Sequence, residues 1–334
     1  MAHSSFEILA VIVNYNLRPF IGTFKKLIEG LAEFSKYAST KTLLVDNSST
    51  DGSFEEAVEH ARKLGLDLEA IKLSRNFGFT RAANIAWHHA RRRWSFKYLM
   101  LLNNDLVIVP WNLAKLLPYL EIDGVAGVQG TIMQMANPAL IDNSGHMIDQ
   151  HGLTLPVCRG YTIECARLYT PSYLSGACSI YRADVIAELG QPFDNRVESY
   201  YDDKHLGLRL WSRGYKLLHV PIIAAYHLGS ASYSGLNKLI KGPKWFEGIV
   251  VAELAPKANN IPSTVFVAVN YVITAALFSA ITRDNYIEYY VQALRKLAIL
   301  RHGNENTLQD TPYSKTYFFG IKRLFKGIKY GKKE

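Results

Sequence analysis

The segment YLMLLNNDLVIVP, Tyr98 to Pro110, runs apolar into Asn103, Asn104 and Asp105 and then turns apolar again. Two amides and a carboxylate inside a core-like run read either as a turn or as a site for a metal and a phosphate. A diphosphate leaving group carries about two negative charges, and a hard cation held by oxygen ligands neutralises them as a bond breaks. Asp105 offers one such oxygen. His227, in AAYHLGS after an apolar strand-like run, is either structural or a second ligand, and an imidazole ligand tilts the choice of metal from Mg²⁺ towards Mn²⁺. In YYDDKHLGLRL, Asp202 and Asp203 precede a helical run. They read either as first-turn caps or as a general base with a neighbour. Adjacent carboxylates raise one another's pKa, which suits a base working near neutrality.

The elements that must position these groups alternate in the first half of the chain. Continuous apolar runs predict strands over Phe6–Val13, Lys41–Val45, Leu68–Leu73 and Tyr98–Asn103. Helical spacing covers Thr23–Phe34, Ser53–Leu64 (capped by Asp51 or Ser53) and Arg81–Arg93. Strand and helix in alternation mean crossover units and a mostly parallel sheet. Three strands end in polar residues: VNYN at Asn14, VDNSSTDGS at Asp46 and LNND at Asp105. In an open α/β sheet such ends share one edge, and ligands bind in the crevice there. No GxGxxG follows the first strand and no GxxxxGK[ST] occurs, which disfavours a dehydrogenase-type or P-loop nucleotide site.

A chain of 334 residues with 49% hydrophobic residues builds a large domain and an appendage. The net charge of +9 is concentrated at the C-terminus, where Tyr313–Glu334 carries seven Lys and Arg against one Glu. The three cysteines, Cys158, Cys165 and Cys178, are odd in number and lack CxxC spacing. That argues against a zinc site and a disulfide framework. A Cys158–Cys165 bridge across a hairpin is allowed, with free thiols the favoured reading. The N-terminal apolar run reads as a first strand and not as a signal peptide.

The segments LAVIVNYN, LLVDNSSTDGS, SRNFGFTRAANIA and YLMLLNND follow the order and spacing of family 2 glycosyltransferases of the GT-A fold. IDNSGHMIDQHG, SGACSIYRADVIAELGQPFD and YYDDKHLGLRLWSRGYKLLHVPIIAAYHLGSAS continue that resemblance, from Phe6 to about Ser232, with an ordering like that of rhamnosyl-, galactofuranosyl- and mannosyltransferase-like members. The resemblance implies a GT-A (Rossmann-like) domain over 1–235, a nucleotide-diphosphate sugar donor, Mn²⁺ (or Mg²⁺) and inversion at the anomeric carbon. It places Asn14 and Asp46 at the base and ribose, and Arg75, Asn76 and Asn84 along the donor pocket. Asn103, Asn104 and Asp105 match the metal-binding acidic element, with Asn103 where many members have Asp; His227 matches a second ligand of some relatives. Asp203 matches the general base and Asp202 a capping or orienting acid. On the acceptor side stand Gly176, Ala177, His205 (where relatives often have an acid) and Arg209, expected to balance the acidic pair.

The resemblance fades after Ser234, and 236–334 reads as a helical, membrane-associated region. Ser263–Thr282 has the length that spans a bilayer and no charged residue, with Lys257 and Arg283 bracketing it; Asn270, Thr274 and Ser279 inside it leave spanning and a buried or half-inserted helix both open. Trp245–Leu254 and Tyr286–Arg301 are amphipathic candidates, and the aromatic, lysine-rich tail fits an anionic interface better than a nucleic acid, for which no motif is present. The expected activity is therefore sugar transfer, with a lean to GDP-mannose, onto a lipid-linked acceptor. The active domain is expected on the cytoplasmic side of a membrane. A soluble transferase using dTDP-rhamnose or a UDP-sugar on a surface polysaccharide, and a non-catalytic sugar-binding or scaffold protein, are the alternatives.

Overall fold

The computed structural model describes residues 4–149, 153–195, 202–229, 246–248, 250–251, 261–282, 284–300 and 313–314. The chain opens as strand–helix units: β1 (Ser4–Asn14), α1 (Ile21–Phe34), β2 (Thr40–Asp46), α2 (Ser53–Lys63), β3 (Leu68–Lys72), α3 (Phe79–Arg91) and β4 (Trp94–Asn103). Then come β5 (Leu106–Ile108), α4 (Pro110–Ala114), β6 (Val125–Gln134), β7 (Ile141–Asn143), β8 (His146–Asp149), β9 (Thr154–Pro156), β10 (Cys178–Arg182) and α5 (Ala183–Glu188). The rest is α6 (Asp202–Trp211), β11 (Lys216–His227), α7 (Ile261–Thr282), α8 (Tyr286–Leu300) and β12 (Tyr313–Ser314).

Side-chain alternation along β1 explains the layering. Ile8, Ala10 and Ile12 point to one face and pack with Phe24, Leu27, Ile28 and Leu31 of α1. Leu9 and Val11 point to the other and pack with Ala82, Ala83, Ala86 and Trp87 of α3. A strand buried on both faces has no room for polar residues, so its sequence is an unbroken apolar run. The main sheet runs β3-β2-β1-β4-β10-β6-β11-β5, with β7 on β6. Its first four strands are parallel, as expected. Beyond β4 it is mixed: β10 lies antiparallel to both β4 and β6, β11 is parallel to β6, and β5 is antiparallel to β11. The expectation of a mostly parallel sheet is corrected on that half, because β10 enters from a long excursion and not from a crossover helix. The registers Asn14↔Asp46 and Val13↔Asn103 bring the polar ends of β1, β2 and β4 to one level.

Two local expectations also change. The N-cap of α2 is Gly52, at φ +77°, with no side-chain cap bond. Asp51 instead accepts from both the Ser53 N–H and the Ser53 hydroxyl through its Oδ1. Cys158 and Cys165 form a disulfide, and the free, buried thiol is Cys178. The 158–165 turn bonds Ile141 of β7, through Gly160 N–H to the Ile141 carbonyl and Ile141 N–H to the Tyr161 carbonyl.

The expected boundary near residue 235 and the tail beyond Ser314 lie outside the described residues, as does part of Trp245–Leu254. Among the described residues no helix is long and apolar enough to cross a membrane. Residues of the C-terminal third also return to the first domain: β12 pairs with β8, in a small sheet with β9.

Candidate active site

Asn14 is the hub of the polar strand ends. It is fully buried, and its Nδ2 lies 2.9 Å from Asp46 Oδ1, 3.1 Å from Ser49 Oγ and 3.2 Å from Ser53 Oγ. Its Oδ1 accepts from Asn104 Nδ2 at 2.9 Å. Asp46, also fully buried, further accepts from the Ser49 N–H and hydroxyl. A carboxylate out of water needs such donors to offset its lost hydration. Asn14, Asp46 and Asn104 thus lock the ends of β1, β2 and β4 into one piece.

On the β3 side, Asn76 Oδ1 accepts from Asn47 Nδ2 at 2.8 Å and from Gly78 N–H at 2.9 Å, which shapes the turn before α3. Arg75 is exposed, with its guanidinium over the Phe77 ring. Asn84, also expected along the donor pocket, lies on α3. It is buried and grips the Phe193 backbone, Nδ2 to the carbonyl at 2.7 Å and Oδ1 from the N–H at 3.1 Å, while Nδ2 also reaches Asn195 Oδ1 at 2.9 Å.

The segment Ser175–Ala177 joins the β4 end to α6. Asn103 N–H donates to the Ala177 carbonyl at 2.9 Å; Gly176 N–H points at Asp203 Oδ2 at a long 3.4 Å; Ser175 N–H donates to Gln129 Oε1 at 2.6 Å. Gly207 lets α6 come this close. A Cβ there would lie 2.4 Å from Tyr173 Cβ and 2.6 Å from the Ser172 carbonyl, so even alanine would push the helix off.

Asp203 is half-buried, and its Oδ1 accepts from Lys204 N–H at 2.8 Å. Burial raises its pKa to about 6, against the smaller lowering by the Lys204 and Gly176 N–H groups and the Lys204 charge. Asp202, Lys204 and His205 beside it are buried. Arg209 donates to the carbonyls of Leu189, Gln191 and Pro192 through its two terminal nitrogens. The charge of Lys204 acts on Asp203 and lowers its pKa.

Asp105 and His227 meet across the β5–β11 pairing, Oδ1 to Nε2 at 3.2 Å. The other ring nitrogen, Nδ1, lies 2.7 Å from Asp142 Oδ2, and Arg159 holds the second Asp142 oxygen at 3.2 Å. Burial lowers the His227 pKa, but the hydrogen bonds and charges of Asp105 and Asp142 outweigh it and carry the ring to about 9. Burial pushes Asp142 up, and its bond to His227 more than reverses this, holding the carboxyl below the usual range. Asp142 belongs to the IDNSG segment, but nothing local marks its partner 85 residues away. Among the described residues no group of three or more His, Cys, Asp and Glu is poised to hold a metal ion.

The sequence profile of glycosyl transferase family 2 matches residues 10–190, more than half of the chain. No curated protein matches the sequence. Among solved structures, GalNAc-T7 with UDP, GalNAc and Mn²⁺ superposes with a TM-score of 0.57 at 14% identity, over 88% of this chain and 55% of its own length. TarS residues 1–349 of S. aureus gives 0.52 at 13% identity, over 88% of this chain and 80% of its own. The mannosyltransferase PcManGT of Pyrobaculum calidifontis, with GDP-Man and Mn²⁺, gives 0.50 at 14% identity, over 90% and 89%. The mixed sheet with its polar strand-end edge is that of a GT-A glycosyltransferase. The chain belongs to glycosyl transferase family 2.

Proposed function

We propose that the protein is an inverting glycosyltransferase that moves a sugar from a nucleotide-diphosphate donor to a hydroxyl of a lipid-linked acceptor at a membrane. The carrying observation is the bridge Ser175–Ala177, which hydrogen-bonds the Asn103–Asp105 turn at one end and contacts Asp203 at the other. A base and a charge-neutralising carboxylate are then parts of one rigid unit on the sheet edge where nucleotides bind.

Asp203 takes the proton of the acceptor hydroxyl. The oxygen's electron pair attacks the anomeric carbon from the face opposite the diphosphate, and the nucleoside diphosphate departs with the electrons of the broken bond. One displacement inverts the centre. A carboxyl raised to about 6 is ionised at neutral pH yet basic enough to accept that proton. Asn14, Asp46 and Asn76 fix the floor of the nucleotide pocket, and Arg75 is exposed beside it.

A divalent ion would be held by Asp105 and by His227, whose Nε2 proton the ion would displace. Asp105 contributes a carboxylate oxygen, and Asp142 engages Nδ1 of His227, so that Nε2 is directed towards Asp105. One or two protein groups together with substrate phosphates suffice for such an ion, and the imidazole favours Mn²⁺. A bound cation would neutralise the diphosphate. GT-A neighbours were solved with GDP-Man, UDP and UDP-GlcNAc, so the fold accepts more than one base. GDP-mannose is our choice of donor, and we place the active domain on the cytoplasmic face.

Thermal shift and donor hydrolysis with GDP-, UDP- and dTDP-sugars, with and without Mn²⁺, test this reading. A true donor at 100 times its Kd adds about 2.7 kcal/mol of stability. An inverted anomeric product by NMR is expected. Silence towards every nucleotide sugar would make the protein a binding or scaffold protein.

A further inference from the structure

The two C-terminal helices carry an apolar face that nothing in the described chain covers. Helix α7 has 22 residues and not one charge. Its inner side, through Val267 and Ala275, packs with Tyr286, Tyr290 and Ala293 of α8 and with Phe246. Its outer side shows Val265, Val269, Ile273, Leu277 and Ile281, each 51–60% exposed. These positions recur every four residues, so they form one stripe. On α8, which packs against α7, Ile287, Val291 and Leu294 are likewise 40–50% exposed. A helix face in water ordinarily carries charges, and a continuous apolar patch of this kind marks an interaction site.

We infer that this stripe is a membrane-docking face that lies in the plane of an anionic bilayer. Charge complementarity selects the occupant. The chain that follows α8 and β12, Lys315 to Glu334, has seven Lys and Arg against one Glu, with five aromatic residues among them. Such a segment is drawn to anionic headgroups and not to a second copy that carries the same positive charge. The absence of any described helix long and apolar enough to cross a membrane agrees with a face laid on the bilayer. The inference deepens the lipid-acceptor reading above and rests on it for its purpose. Docking holds the strand-end crevice at the depth where a lipid-linked hydroxyl emerges.

The test uses full-length protein and vesicles of phosphatidylcholine alone or with 30% phosphatidylglycerol, at low and high salt, with binding read by co-sedimentation. Wild type should bind the anionic vesicles. The triple substitution Val269→Ser, Ile273→Ser, Leu277→Ser removes three half-exposed side chains, each worth roughly tenfold in partition, and should weaken binding by about 10²–10³. Removing Lys315–Glu334 spares β12 and should make the remaining binding insensitive to salt. Ile273→Cys carrying an environment-sensitive fluorophore should shift to the blue on anionic vesicles; Cys178 is buried and the other cysteines are bridged, so the label is single. This variant also covers the case in which the triple variant fails to fold.

Wild type in the supernatant, or a label that does not shift, overturns the inference. So does a wild-type dimer that the triple variant converts to monomer without vesicle binding, because a second copy would then own the stripe. Donor hydrolysis is measured alongside. Vesicle binding without hydrolysis of any nucleotide sugar would sink the catalytic reading and leave the docking face standing; hydrolysis without vesicle binding does the reverse.

Discussion

Asp203→Asn should make the protein both less active and more stable, and the two effects have one cause. The carboxyl is raised by burial from the ordinary 3.8 to about 6. Its folded pKa lies above its unfolded one, so the unfolded state gives up the proton first as pH rises. Below 3.8 the group costs nothing. Between 3.8 and about 6 stability falls, and above about 6 the whole cost is present. That gap corresponds to at most about 3 kcal/mol at pH 8. Asparagine keeps the shape and an oxygen for the Lys204 N–H but carries no charge to bury. At pH 8 the variant should therefore melt several degrees above wild type, at roughly 2–4 °C per kcal/mol or less for a chain of this size. At pH 4 the two should coincide.

Turnover should fall by about 10²–10⁴ with donor affinity kept, because only proton acceptance is lost. The wild-type rate should drop as pH falls through about 6, where Asp203 protonates; the residual rate of the variant should be flat there. Differential scanning fluorimetry at pH 4 and 8, with nucleoside diphosphate release as the rate assay, reads both effects. Near-normal turnover would remove Asp203 as the base. A variant less stable than wild type at pH 8 would show that the carboxylate is stabilised where it sits, and the linkage argument would fall with it.

Three further outcomes are expected. Asp105→Ala should weaken Mn²⁺ binding, read by EPR of the free ion, far more than His227→Ala, because only the carboxylate neutralises charge; equal affinity in wild type and Asp105→Ala takes Asp105 out of the site. Asp142→Asn should lower Mn²⁺ affinity by roughly 10–100-fold, since it orients the His227 ring, and should also lower the melting temperature at neutral pH, because its carboxylate is stabilised by His227 and Arg159; unchanged affinity limits Asp142 to a structural part. Cys158→Ser should cost roughly 2–3 kcal/mol by loop-closure entropy. With the active domain on the cytoplasmic face, alkylation of freshly lysed cells should label Cys158 and Cys165, because disulfides are rare there; unlabelled cysteines would overturn that placement.

The strands of the first half were legible because burial on both faces forces an unbroken apolar run, and β1, β2, β3 and β4 fall within a few residues of their expected bounds. The antiparallel insertion was not. Cys178–Arg182 is five residues long and carries no signal that it would lie between β4 and β6. Side-chain partners far away along the chain were not legible. Asn84 is on the helix expected, yet its amide closes on Phe193, 109 residues away. Arg209 is expected to balance the acidic pair, and nothing local shows that its guanidinium also reaches the carbonyls of residues 189–192. Cys158 and Cys165 read as free from their count, although their spacing fits the bridge they form.

Asn14 and Asp46 pose the remaining question, since residues expected at a base and ribose are fully buried. The resolution lies in what they hold. Asn14 engages both faces of its amide, with Asp46, Ser49 and Ser53 at its nitrogen and Asn104 at its oxygen. Asp46 turns the Ser49 backbone and hydroxyl inward, and next to it Asn47 bonds Asn76 and the Phe77 N–H, fixing the turn that carries Arg75. The network therefore spans the ends of β1, β2 and β4 and reaches the turn after β3, and none of its own members is left to be ordered on binding. Ordering such groups would cost about 0.5–1.5 kcal/mol each at the moment a ligand arrives. Here that cost falls on folding, where the large core on both faces of the sheet offsets it, and the crevice edge is already set in shape before any donor enters.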